Sequence, residues 1–150
     1  MYSIVLLIHS WFRWLTLLAA VGAVVNAYRP LVNRELPGRL WDRFYMTTLD
    51  IQVFLGLWLY LGLSPFTVDS LNNMSQTMQT PALRFFAVEH IFGMLVAMAL
   101  VRAGRIMSNN AKTPESARKK RLIFFTLGLL AMMATIPWPG FPYGRPLFRI

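Results

Sequence analysis

The chain has 150 residues, of which 56% are hydrophobic and only 14% charged, with 11 Phe, 9 Met and 5 Trp. So little polar surface cannot wrap a water-soluble core of this size, and the composition places the chain in lipid. A formal net charge of +9 would suggest a nucleic-acid partner in a soluble protein, but 11 of the 15 Lys and Arg residues fall in two loops, a distribution that excludes that reading; the absence of cysteine excludes disulfides, iron–sulfur clusters and thiolate or covalent haem attachment.

Four apolar runs, residues 4–28, 45–63, 83–101 and 122–138, approach the roughly 20 residues that cross about 30 Å of hydrocarbon. The first lacks a basic leader, carries Arg13 and outlasts a signal-peptide core, so it reads as a retained span. Positions 9, 13, 16, 20, 23 and 27 share one helical face, giving a stripe of His9, Arg13, Thr16, Ala20, Ala23 and Ala27 that should turn inward. Asn26 and Arg29-Pro30 close this span, and Pro37-Gly38 breaks the connector before Trp41 starts the second. That loop holds Arg29, Arg34, Arg39 and Arg43.

The second span carries Asp50 and Gln52. The loop that follows, 64–82, contains Asp69 and no basic residue; its Leu71, Met74 and Met78 among polar neighbours suggest a short interfacial helix. The inward stripe of the third span is Ala87, His90, Gly93, Met94 and Ala97. After it, Arg102, Arg105, Lys112, Arg118, Lys119, Lys120 and Arg121 make the third loop strongly basic. The tail, 139–150, is too rich in proline for a helix and should lie at the interface or fold over the bundle, with Trp138, Phe141 and Tyr143 at headgroup depth. The fold class expected is all-α: a single-domain integral membrane four-helix bundle with its basic loops cytoplasmic and both termini on the outer, periplasmic side of a bacterial inner membrane.

His9 and His90 are the only histidines. Each lies six or seven residues inside the outer end of its span, about 9–10 Å deep at 1.5 Å per residue, so the two imidazoles can meet across the bundle. Haem iron accepts two axial nitrogens on opposite faces, and Gly93 beside His90 would admit a porphyrin edge. Two ligands alone would leave zinc or copper under-coordinated unless Glu89, Met94 or water joined. The bland alternative is that each histidine hydrogen-bonds a neighbouring helix. Arg13, Asp50 and Glu89 are the formal charges read as lying well inside the spans, and at that depth each needs a partner. Arg13 with Asp50 is feasible as an ion pair near the midplane. Alternatively Asp50, Gln52 and Arg13 form a quinone or proton site. Glu89 points away from the imidazole, toward Arg84 or the tail. Arg84, Arg145 or Arg149 could neutralise haem propionates, and the tail could cap the haem edge.

The segments His9-Ser10-Trp11-Phe12-Arg13-Trp14-Leu15, Arg84-Phe85-Phe86-Ala87-Val88-Glu89-His90 and Ile136-Pro137-Trp138-Pro139 together resemble short four-span bacterial membrane proteins of cytochrome b-like type, over nearly the whole chain. The resemblance implies one non-covalent haem b ligated by His9 and His90; larger dihaem cytochromes b use four ligand histidines. The expected function is membrane electron transfer by one bis-histidine haem near the outer leaflet, with quinol or a redox protein as partner, in a larger respiratory or photosynthetic complex or a homo-oligomer. The rival is a cofactor-free accessory subunit whose histidines bond between helices. No dedicated substrate pocket is evident, which leaves enzymatic activity open.

Overall fold

A computed structural model describes residues 1–31 and 38–148. Among the described residues the structure is helical and strand-free: α1 (Tyr2–Tyr28), α2 (Arg39–Leu63), α3 (Pro65–Asn72), α4 (Met74–Gln79), α5 (Pro81–Asn109) and α6 (Pro114–Thr135). Arg34 and Pro37 of the first connector, and Arg149, lie outside them.

Three helices, α1, α2 and α5, are long and apolar enough to cross a membrane. α6 differs because its first turns are polar. Thr113 caps it by accepting from the Ser116 N–H at 3.2 Å, Pro114 occupies the first turn, and Glu115 sits near the positive end of the helix dipole. The Arg118 guanidinium, 2.8 Å away, holds the Glu115 carboxyl below the usual carboxylate range. Past Arg121 the apolar part of α6 spans only about 20 Å at 1.5 Å per residue. The helix stops at Thr135, short of the expected boundary at Trp138, because Pro137 pushes Ile136 into extended backbone (φ −74°, ψ 133°).

α1 packs on α2 and α6, and α5 packs on the same two, so α1 and α5 stand diagonally opposite. The core between them contains Ala19, Ala20, Ala23, Tyr45, Leu49, Ala97, Val101, Phe125 and Met132. Thr16, Ala20, Ala23 and Ala27 are fully buried, as the stripe on the first span predicts. α5 and α6 approach closely through glycine: a Cβ on Gly104 would come within 2.5 Å of Phe124 Cβ, and one on Gly128 within 2.6 Å of Val101 Cγ2. The outer surfaces carry Leu18, Phe54, Phe92 and Leu130, each more than half exposed, as suits a lipid-facing surface. α3 and α4 bury hydroxyl side chains and expose apolar residues alongside polar ones. Thr67, Ser70 and Thr77 are buried, while Phe66, Leu71, Met74 and Met78 are exposed together with Asp69, Asn72, Asn73 and Gln76.

Two π-helical turns interrupt the regular ladder, Leu59–Leu63 at the end of α2 and Phe85–Glu89 just before His90 in α5. Such turns leave carbonyls without their usual partners. Tyr60 Oη donates to Ala87 O at 2.9 Å and Thr67 Oγ1 donates to Tyr60 O at 2.9 Å, which ties both turns and α3 together.

At the opposite end of the bundle lies a buried ion cluster. Asp42 on α2 meets Arg121 on α6 at 2.6 Å, both fully buried, and Arg105 on α5 at 3.4 Å. This corrects the assignment of Arg105 and Arg121 to the third loop and the restriction of inward charges to Arg13, Asp50 and Glu89. α5 and α6 overrun their apolar stretches, leaving only 110–113 between them, so cations beyond the hydrophobic run still sit on inward helix faces.

Candidate functional site

His9 on α1 and His90 on α5 face one another across the diagonal, their ring centroids 6.4 Å apart and their planes at 82°. They line a cavity of about 330 Å³ that also receives Arg13, Gln52, Gly56 and Met94, a volume at the lower end of ligand pockets. Its walls are mostly apolar, with Leu6, Val53, Leu57, Ile91 and Met132 among them.

Each imidazole is held by a neighbouring helix. His90 Nδ1 lies 2.7 Å from the Thr135 carbonyl at the C-terminal end of α6, where a helix has carbonyls to spare. Phe85 and Phe86 flank the same ring at 5.8 and 6.2 Å. His9 is held by Gln52, whose Nε2 donates to the His9 carbonyl at 3.1 Å and lies 3.3 Å from His9 Nε2. A Cβ on Gly56 would sit 3.2 Å from His9 Cε1, so the absence of a side chain there lets the ring lie against α2. The buried atoms His9 Nδ1 and Gln52 Oε1 have no hydrogen-bond partner.

The tail covers part of the cavity. Pro137, Arg145 and Pro146 contribute to its lining. Tyr143 stacks on Phe85 at 3.8 Å, and the Arg145 guanidinium lies over Phe66 and Phe86 at 5.3 and 5.0 Å. The chain then crosses to α1, where Leu147 O accepts from Arg13 Nη2 at 2.7 Å and from Trp14 Nε1 at 3.2 Å, and Phe148 stacks on Trp14. The expectation that the tail folds over the bundle matches this path.

Several assignments change. Gly93 offers no room for a porphyrin edge: a Cβ there would meet Thr135 Cγ2 at 2.1 Å, because the residue is turned to α6 rather than to the cavity. Gly56, on a span read only for Asp50 and Gln52, is the glycine beside the histidines. Arg84 is bonded to Glu89 at 2.8 Å, the pairing expected for Glu89, and does not line the cavity, whereas Arg145 does. Arg13 and Asp50 are not an ion pair, and of the three residues expected at one site Arg13 and Gln52 share the cavity while Asp50 lies apart. Asp50 pairs with Arg102 at 2.7 Å on an exposed face, since it lies two residues and about 200° around α2 from Gln52. Arg13, deeper than His9, nevertheless reaches the cavity and anchors the tail.

The 6.4 Å separation of the ring centroids is a distance that one metal atom held by both imidazoles would span. Metal–imidazole bonds of about 2.0–2.1 Å and roughly 1.1 Å from nitrogen to ring centre would put the centroids of two imidazoles on one metal up to about 6.3 Å apart. Among the described residues no three His, Cys, Asp or Glu side chains gather as a metal site. No protein-family model, curated protein or solved structure matches the chain. The cavity's own chemistry therefore carries its interpretation.

Proposed function

We propose that this protein is a membrane electron-transfer protein that holds one b-type haem between His9 and His90, near the outer leaflet of a bacterial inner membrane. The observation carrying this reading is the pair of histidine rings 6.4 Å apart across a largely apolar cavity. The Nδ1 contact of His90 with the Thr135 carbonyl orients that ring as metal-ligating histidines commonly are oriented. Arg145, reaching the cavity from the tail, is placed to neutralise a propionate, and the mostly apolar walls would limit water access. When bound, the haem would supply one-electron chemistry; the protein's part is to ligate, orient and bury it. Electrons would pass to and from quinol or a partner redox protein, within a larger respiratory or photosynthetic complex or a homo-oligomer.

In this reading all four long helices cross the membrane, the basic connectors face the cytoplasm and the termini face outward. The short apolar stretch of α6 is accommodated by the buried Asp42–Arg121 pair and by Lys119 and Lys120 reaching back to headgroups. The resemblance to short cytochrome b-like proteins through His9 and His90 points the same way.

The rival reading, a cofactor-free accessory subunit, draws on the two interhelical contacts of the histidines with Gln52 and Thr135. An absorption spectrum of protein purified after haem-replete expression separates the two. A Soret band that shifts or weakens on mutation of the histidines supports the haem, and a featureless visible spectrum rejects it.

A further inference from the structure

The two imidazoles differ in which nitrogen is engaged. The Thr135 carbonyl can only accept, so its 2.7 Å contact places the proton on His90 Nδ1 and leaves the Nε2 lone pair open. A backbone carbonyl in that position also holds the ring and raises the basicity of the other nitrogen.

His9 is arranged the other way. The Gln52 amide nitrogen donates to the His9 carbonyl at 3.1 Å, which fixes the orientation of the amide, so the same nitrogen is also the atom facing His9 Nε2 at 3.3 Å. His9 Nε2 is therefore the acceptor, and Nδ1 carries a proton that is buried without a partner. The lone pair His9 would give to a metal is shared with Gln52, and Gly56 provides the space in which the ring lies against α2.

We infer that His90 is the fixed ligand and His9 an exchangeable one, with Gln52 holding the released imidazole while a small neutral ligand such as carbon monoxide takes its place on the iron. This rests on the haem reading above. The exchange breaks one iron–nitrogen bond and forms one iron–carbon bond; the Nε2 lone pair passes from iron to the Gln52 N–H, and no electron or proton is gained or lost.

The test uses the haem-replete protein in detergent, reduced with dithionite and titrated with carbon monoxide, beside the variants His9→Ala, His90→Ala and Gln52→Leu. Expected are a carbon monoxide adduct of the wild type, a retained but five-coordinate, high-spin Soret spectrum in His9→Ala, and loss of the band in His90→Ala. Gln52→Leu should bind carbon monoxide about tenfold more weakly, since one hydrogen bond no longer holds the released ring. Equal loss of haem from both histidine variants, no adduct in the wild type, or an unchanged carbon monoxide affinity in Gln52→Leu would overturn the inference while leaving the haem reading standing. No Soret band in the wild type overturns both. Nitrogen-15 NMR of the haem-free protein supplies a readout that needs no cofactor: both rings should be neutral and protonated on Nδ1, and a proton on His9 Nε2 would refute the role given to Gln52.

Discussion

Replacing Asp42 with Asn tests the buried ion cluster most directly. Asp42 and Arg121 are fully buried 2.6 Å apart, while Arg105 is 17% exposed and its closest contact is 3.4 Å. Two charges about 4 Å apart at an effective dielectric of about 20 attract by about 4 kcal/mol, and removing one partner of a buried pair costs about 3–5 kcal/mol because the remaining charge loses this buried counter-charge. Asp42→Asn should therefore destabilise by about 3–5 kcal/mol, a loss of a hundredfold or more in the folded-to-unfolded ratio. Arg105→Leu should cost about 1 kcal/mol or less, because its longer contact is partly screened by water. The double variant Asp42→Leu/Arg121→Met should regain most of the loss, since apolar replacements of a buried pair are often neutral. Unfolding of detergent-purified protein, by heat or by SDS titration, measures all three. An Asp42→Asn variant within about 1 kcal/mol of wild type, or an Arg105→Leu variant as damaged as Asp42→Asn, would refute the view that the Asp42–Arg121 contact carries this end of the bundle.

Further outcomes follow from the packing and the cavity. Gly93→Ala should cost about 1–3 kcal/mol by driving a methyl group into Thr135; Thr135→Ala, which keeps the carbonyl that binds His90, should recover part of it in the double variant, as thermal melts would show. Gly56→Val should displace the His9 ring and lower haem affinity by about tenfold or more, measured by haem titration of the apoprotein, while leaving the fold intact by circular dichroism. Arg145→Leu should weaken haem retention and Arg84→Leu should not, since only Arg145 lines the cavity; equal loss of the Soret band in both would refute that distinction. The chain contains no cysteine, so Ser75→Cys and Lys119→Cys are clean topology reporters. An impermeant maleimide should label the first only from the outside and the second only from the inside, and labelling from one side would refute the four-span arrangement.

Reading along the chain was enough for the helices and for part of the site. Apolar runs and a period of 3.6 place Thr16, Ala20, Ala23 and Ala27 on one buried face with His9, because residues on a single helix share a face whatever surrounds it. The prolines after Thr135 dictate a non-helical tail for equally local reasons. Which faces meet is another matter, settled by how α1, α2, α5 and α6 pack around one another. That packing turns Gly93 to Thr135 instead of the cavity, brings Gly56 and Gln52 to His9, sends Asp50 out to Arg102, and buries Arg105 and Arg121 against Asp42. Hydropathy could not reveal the last of these, since a cation just past the end of an apolar run reads as a loop residue until the overrun of its helix and the carboxylate on a distant segment are both known.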